Sequence, residues 1–513
     1  MKNFMRNTGL ALLSAMMLSS CFDLKEEVYS EIPMDNFGKT EQELIATAGR
    51  AYTQLQNYCT EQSLWTLSLQ VADECAVPIN SNGSWAEERY GELQRQQYTP
   101  SNTLVLKGWN FCFDGIASCN EILYELGLST AEFEAKEKIT AEVEVLRAFF
   151  YFMAIDGWGN VPYSIDYTDT SYPEQKDRKF LFSFIEKSIK DNLPLLDAEP
   201  STSIYGRVTQ DVAYTLLAKL YLNAEEWLGT PMWAEAEAAC YNVISKGHYS
   251  IADDYASNFS ANNEGSVENI FVIPYSTTYT ESDHNSFIIY IMALDSWATE
   301  KFNIPASAWD GFVCQPDFFQ KYDAADKRRD ATWLYKGNQT NGGGYDVTDA
   351  PYNPVFDESL YSTRRALYDG ARIWKWHYQT DGQLISDQTS MDNDFVLFRY
   401  ADVVLMYAEA LVRQNRAAEA VQLADLQKIR TRAGLPVYSA ADLTLDELLD
   451  ELLDERGREL AWEGWRRQDL IRFGKYNDAW WAKPTASPAT KRLFPIPTTV
   501  LAANPRLSQN PGY

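Results

Sequence analysis

Apolar residues recur at helical spacing in two blocks of this chain and lose that spacing between them. This limits the fold to a helical scaffold carrying one long irregular insertion. In the first block, residues 40–58 place Leu44, Ala48, Tyr52 and Leu55 on one helical face. Helices are predicted again over 109–126 and over 130–156, where Gly157 and Pro162 end the pattern. Two more, 209–227 and 231–246, are separated only by Leu228, Gly229 and Thr230, a connection short enough to make an antiparallel hairpin. In the second block, 400–414 and 417–432 meet at Asn415. Ala408 and Ala420 are small enough for close approach, and the pair resembles one tetratricopeptide unit of about 34 residues. A third helix is expected over 443–473.

The middle, about 247–391, has strand-like runs at 269–274 and 286–292 set among Asn, Gly, Asp and Pro, with a mobile loop expected at 341–344. A turn-rich stretch, 78–98, interrupts the first block. The resulting fold class is mostly α: a tetratricopeptide-like helical-pair scaffold, 40–246 and 392–513, with a loop-rich, partly β insertion at 247–391. By length alone, 513 residues suit either three domains or one large helical domain with insertions.

Charge removes whole classes of partner. With 72 Asp plus Glu against 45 Lys plus Arg, the formal net charge is −27, so phosphate-rich nucleic acid and anionic headgroups are repelled. At 45% hydrophobic the chain is globular, not disordered. Its 15 Trp, 31 Tyr and 24 Phe exceed what a core needs, and some are expected to face a ligand.

The N-terminus reads as an address. Lys2 and Arg6 precede an apolar run at 9–18, too short for a bilayer, which takes roughly 20 residues, and suited to a secretory leader. The run ends in Leu18, Ser19, Ser20 and Cys21, resembling the lipobox of bacterial lipoproteins, in which the cysteine carries lipid. Residues 1–20 are therefore expected to be a lipoprotein signal peptide, 21–39 a lipid-anchored tether and 40–513 a single domain. Lys25, Glu26 and Glu27 resemble a signal for the outer face of the outer membrane. The other six cysteines show no Cys-x-x-Cys spacing and are expected to be buried free thiols.

Catalytic patterns are missing. The three histidines, His248, His284 and His377, have no metal-ligand spacing. Gly38, Lys39 and Thr40 imitate the end of a phosphate loop, but Pro33 stands where its first glycine belongs. Neighbouring carboxylates such as Asp73 with Glu74 are expected by chance among 72 acids. No catalytic residue, metal or cofactor is assigned.

Several blocks together resemble the SusD/RagB family of outer-membrane nutrient-binding lipoproteins. They are AEVEVLRAFFYF at 141–152 with GWGNVP at 157–162, YGRVT at 205–209 with AKLYL at 218–222, and FRYADVVLMYAEA at 398–410. IRTRAGL at 429–435 and ERGRELAWEGWRRQDLIRFG at 455–474 follow, with LFPIP at 493–497 and QNPGY at 509–513. The resemblance implies a tetratricopeptide-like scaffold, no catalysis, a location on the outer membrane facing outward, and a SusC-like TonB-dependent transporter as partner. It also implies a glycan ligand held by aromatic side chains on loops, where a rigid ring buries the apolar C–H face of a pyranose. A peptide-binding lid of the same architecture and a lipid-anchored glycoside hydrolase are the alternatives.

Within these blocks Arg456 falls on the stripe of Leu445, Leu448, Leu449, Leu452, Leu453 and Leu460, and Arg147 lies between Leu146 and Phe149. A buried guanidinium must be paired, so both are read as structural, Arg456 with Glu459, Glu463 or a carboxylate of a neighbouring helix. Ligand contacts are placed instead in two loop regions: Trp85 with Arg89, where no helical stripe offers the ring a core, and Tyr279, His284, Trp297, Trp309 and Asp310.

Overall fold

The computed structural model describes residues 40–80, 82–129, 134–276, 289, 291–304, 307–338, 346–355, 366–376, 391–439 and 443–513. The leader, Cys21, the tether, Tyr279, His284, the run 286–288 and the loop 341–344 lie outside them. Helix Glu41–Thr53 starts at a capping box: the Glu43 amide donates to the Thr40 hydroxyl (3.3 Å) and the Thr40 amide to the Glu43 carboxylate (3.2 Å). It packs against the long helices Thr103–Leu128 and Glu134–Trp158. Helix Gln210–Leu222 packs on Trp233–Ile244, which packs in turn on Tyr400–Arg413, so the helical pairs stack as expected. Gly229 (φ 71°) and Asn415 (φ 61°) make the tight exits in left-handed conformation.

Four two-stranded antiparallel pairs occur among the described residues: β1 (Cys75–Ala76) with β5 (Val313–Cys314), β2 (Val161–Tyr163) with β3 (Glu174–Lys176), β4 (Asn269–Ile273) with β8 (Phe395–Arg399), and β6 (Trp333–Leu334) with β7 (Arg372–Ile373). In the β4–β8 pair Val272 faces Val396 and Ile273 faces Phe395, and β8 runs straight into helix Tyr400–Arg413. Trp65, Trp158, Trp333, Trp374, Trp376 and Trp462 are fully buried, so much of the aromatic surplus is core.

Several elements differ from expectation. The helix expected over 209–227 is two pieces, Gln210–Leu222 and Ala224–Leu228, and Ile289 and Ile291, described residues of the strand-like run 286–292, are helical. The stretch 78–98 contains a helix, Glu88–Gln94. The helix expected over 417–432 is two pieces, Ala417–Ala420 and Ala424–Arg432. The helix expected over 443–473 is also two, Leu445–Glu459 and Arg466–Arg472. Tertiary contacts break it: the Trp462 amide donates to the Glu74 carboxylate (2.8 Å) and its indole to the Glu74 carbonyl (3.2 Å), with Trp462 at φ 60°. At Gly464 (φ 90°) a Cβ would stand 2.3 Å from the Tyr58 hydroxyl, so only glycine passes there.

Buried charges knit the halves together. Arg456 pairs with Asp402 (2.8 Å) and Asp469 (2.9 Å), not with Glu459 or Glu463. Those two instead hold Arg399, at 2.7 and 2.9 Å, and Glu268 adds a third carboxylate at 3.0 Å. Arg432 closes the ring by reaching Glu268 (2.6 Å) and Glu459 (2.5 Å). Arg147 pairs with Glu144 and donates to Asn120 (2.9 Å). Burial alone raises a carboxyl's pKa, yet Arg472 and Arg413 outweigh it at Glu409 and hold that group at about 2.

Glu74 is the opposite case, with one carboxyl oxygen unpartnered and burial pushing its pKa to about 8. The protonated form is the one the fold favours. Its stabilising contribution is complete below the unfolded value of about 4.3 and is lost as pH rises through about 8. Glu74→Gln keeps an acceptor for Trp462 without the charge. It is expected to melt several degrees above the parent near pH ~9 and to match it near pH ~4, as thermal denaturation at the two pH values checks.

The chain also closes on itself. The Trp158 indole donates to the Pro495 carbonyl (3.0 Å), the Phe494 amide to Gly157 (2.8 Å), and the Asn510 side chain to Trp158 (2.9 Å). Tyr513 stacks on Tyr98 at 6.2 Å.

Candidate functional site: an aromatic pair on two joined loops

Strand β1 ends at Ala76 and β5 begins at Val313, so their pairing brings the loop 77–87 against the segment 307–312. The Trp85 indole donates to the Trp309 carbonyl (2.8 Å), and its ring meets Tyr90 and Phe312 edge-on at 5.4 and 5.8 Å. Gly311 lies beneath it: a Cβ there would be 2.5 Å from two atoms of the indole. Trp85 (φ 62°) and Asp310 (φ 53°) both hold left-handed backbone, costing about 1–3 kcal/mol each, strain that only surrounding contacts sustain.

Asp310 is fixed from two sides. The Asn80 amide nitrogen donates to its carbonyl (2.7 Å) and carboxylate (3.2 Å), and Arg372 pairs with the carboxylate at 3.1 Å. The buried Arg372 guanidinium lies 4.7 Å over Tyr352, whose hydroxyl donates to Asp295 (2.6 Å). Trp297 stands edge-on to Tyr352 at 5.6 Å, and Tyr368 at 6.2 Å. Arg89 lies 4.8 Å over the Tyr90 ring and 3.6 Å from Glu61, which accepts the Tyr90 hydroxyl at 2.5 Å.

Of the residues singled out from sequence, Trp85, Trp309 and Asp310 come together. Arg89 sits behind Trp85, engaged with Tyr90 and Glu61, and Trp297 lies one ring further, beyond Tyr352. Trp85 does have a core to join, Tyr90 and Phe312, contrary to the reading of its segment as turns alone, and it is partly buried against them. Trp309 is 39% exposed, the most open indole of the set. Beside Trp85 lies an open depression of about 170 Å³, walled by Val77, Ile79, Glu88 and Arg95. Sequence reading assigned no site role to Asn80, Gly311, Tyr352 or Arg372; Asn80, in the turn-rich stretch, and Gly311, next to Trp309 and Asp310, were noted only as turn residues.

The rings offer stacking faces, while Asp310 and Asn80 lie beside them with hydrogen-bonding groups. Among the described residues no cluster of three or more His, Cys, Asp or Glu is placed to hold a metal ion. Gly311→Ala should push the Trp85 indole out of place. We expect at least about tenfold weaker ligand binding, equivalent to ~1.4 kcal/mol, with a small fall in melting temperature. Titration and tryptophan fluorescence on the same sample check this.

Residues 24–222 match the family model described as starch-binding, associating with the outer membrane. The starch-binding protein SusD of Bacteroides thetaiotaomicron is 27% identical over 415 residues, 73% of this chain and 72% of that protein. SusD-like protein P2 of Formosa agariphila is 24% identical over 97% of both chains. Among solved structures, the surface glycan-binding protein A of Bacteroides thetaiotaomicron in complex with laminarihexaose superposes with a TM-score of 0.73 at 23% identity, covering 92% of this chain and 99% of that one. A laminarin-binding SusD-like protein gives 0.74 at 22% identity, covering 93% and 100%. Residues 241–513, more than half the sequence, match the SusD family model, and with the mostly helical fold and whole-chain likeness this shows that the chain belongs to the SusD family.

Proposed function

We propose that the chain captures an oligosaccharide or polysaccharide at the cell surface on Trp85 and Trp309 and delivers it to a TonB-dependent transporter of the outer membrane. It is a binding protein of the SusD type and not an enzyme. The observation that carries the reading is the Trp85–Trp309 pair, an exposed indole and a partly buried one fixed by hydrogen bond, strained backbone and glycine contact. Sugars suit such a platform because stacking contributes about 0.5–1.5 kcal/mol beyond burial of area. Relatives named for starch and laminarin point to glucans as the first ligands to try. The proposal includes a leader at 1–20, lipid on Cys21, a tether at 21–39 and one domain at 40–513. Tyr279 and His284 remain proposed contacts, with Arg89 and Trp297 as flanking groups. No described helix is long and apolar enough to cross a membrane.

Titration with laminarihexaose and maltohexaose, followed by a broad glycan array, tests the reading. Saturable binding without release of shorter sugars is expected for at least one glycan. Silence across the array together with binding to a peptide library would move the chain to the peptide-binding alternative.

A further inference from the structure

We propose that Cys75 and Cys314 are the site of a cross-strand disulfide that covalently ties the two loops of the ring site at their base. The two residues are direct partners in the antiparallel β1–β5 pair, and both are fully buried. Hydrogen bonding defines their register. The Cys314 amide donates to the Ala371 carbonyl (2.9 Å), not to Cys75, while the Cys75 carbonyl accepts from the Gln315 side chain (2.8 Å). Cys75 and Cys314 therefore form a non-hydrogen-bonded pair, the close register, with Cα atoms about 4.5 Å apart and side chains on one face. That separation falls inside the roughly 4.4–6.8 Å window in which a disulfide closes. By contrast Cys112 and Cys119 lie on one helix seven residues apart, about 10 Å along its axis, out of reach of each other.

Position gives the bond its purpose. Cys75 lies two residues before the loop that carries Trp85, and Cys314 two residues after Phe312, against which Trp85 packs. Loops 77–87 and 307–312 diverge from this pair, so a bond here fixes the separation of Trp85 and Trp309. In the structure both thiols are free. Burial raises both thiol pKa values, and at Cys314 the neighbouring Cys75, Glu74 and Asp73 add to it. The folded thiols are therefore slow nucleophiles, and oxidation belongs to folding in an oxidising compartment. The oxidant is a protein disulfide of the thiol-oxidoreductase class. One cysteine, as thiolate, attacks it to give a mixed disulfide. The other thiolate then displaces the oxidoreductase, which leaves as a dithiol carrying the two electrons and two protons.

The test uses the full chain extracted from its own cell envelope without reductant, with thiols alkylated during denaturation and peptides mapped by mass. A Cys75–Cys314 linked peptide is expected, with Cys59, Cys112, Cys119 and Cys240 alkylated. Recovery of Cys75 and Cys314 both alkylated overturns the proposal. The tie itself is read without any ligand, by hydrogen exchange at the amides of Asn80, Gly83 and residues 309–312. These are expected to exchange at least about tenfold faster in C75A/C314A than in the oxidised parent, a factor corresponding to ~1.4 kcal/mol. Equal exchange in the two proteins overturns the tie. Because no glycan enters either measurement, the result stands apart from the fate of the glycan reading.

Discussion

Trp309→Ala is expected to weaken binding of the best glycan ligand by more than about tenfold, and up to ~2 kcal/mol or beyond, with little change in melting temperature. The asymmetry follows from what the side chain does. At 39% exposure the residue keeps part of its ring open to solvent, whereas its structural part is the backbone carbonyl that accepts from Trp85, and alanine keeps that carbonyl. Trp85→Ala should weaken binding as well. It should also destabilise, because the Trp85 ring fills the space over Gly311 and between Tyr90 and Phe312. Normal binding by both variants would place the site elsewhere on the molecule.

Arg399→Ala should have the largest effect on folding. It removes one guanidinium from among Glu268, Glu459 and Glu463, all buried, leaving Arg432, Arg328 and Lys375 to hold three carboxylates. Breaking a buried pair by deleting one partner costs about 3–5 kcal/mol, a large share of a domain's stability. Urea denaturation of the variant should show that loss or give no folded protein at all. A change within about 1 kcal/mol would mean that the network is redundant. Arg456→Ala, between Asp402 and Asp469, is expected to behave alike; a stable variant that failed only in binding would make Arg456 a ligand contact.

The sequence showed that Arg456 needed a partner, because a cation on a leucine stripe has no water to turn to. It did not show which partner, since Asp402 lies on a separate helix and helical spacing reports only contacts along one helix. Long amphipathic helices were legible for the same reason that short ones were not. Glu88–Gln94 has too few turns to display a stripe and no side-chain cap at its start. The break at Trp462 was hidden because its cause is Glu74, nearly four hundred residues earlier in the chain. At the ring site, local context singled out Trp85 in its turn-rich segment and Trp309 beside Asp310, while the contacts that fix them could be found only in three dimensions. Arg372 reads in sequence as one cation of the irregular middle, and nothing local couples it to Asp310.

The seal between residues 493–513 and the N-terminal helices has a consequence in time. The bond from Trp158 to Pro495 spans 337 residues, and that from Asn510 to Trp158 spans 352. At about 5–20 residues per second, a ribosome needs on the order of 20–70 s to make that stretch. During this interval the Trp158 indole, the Gly157 carbonyl and the Tyr98 ring wait without the groups that will cover them. Whatever holds the nascent chain must shield this surface from aggregation until the covering residues arrive.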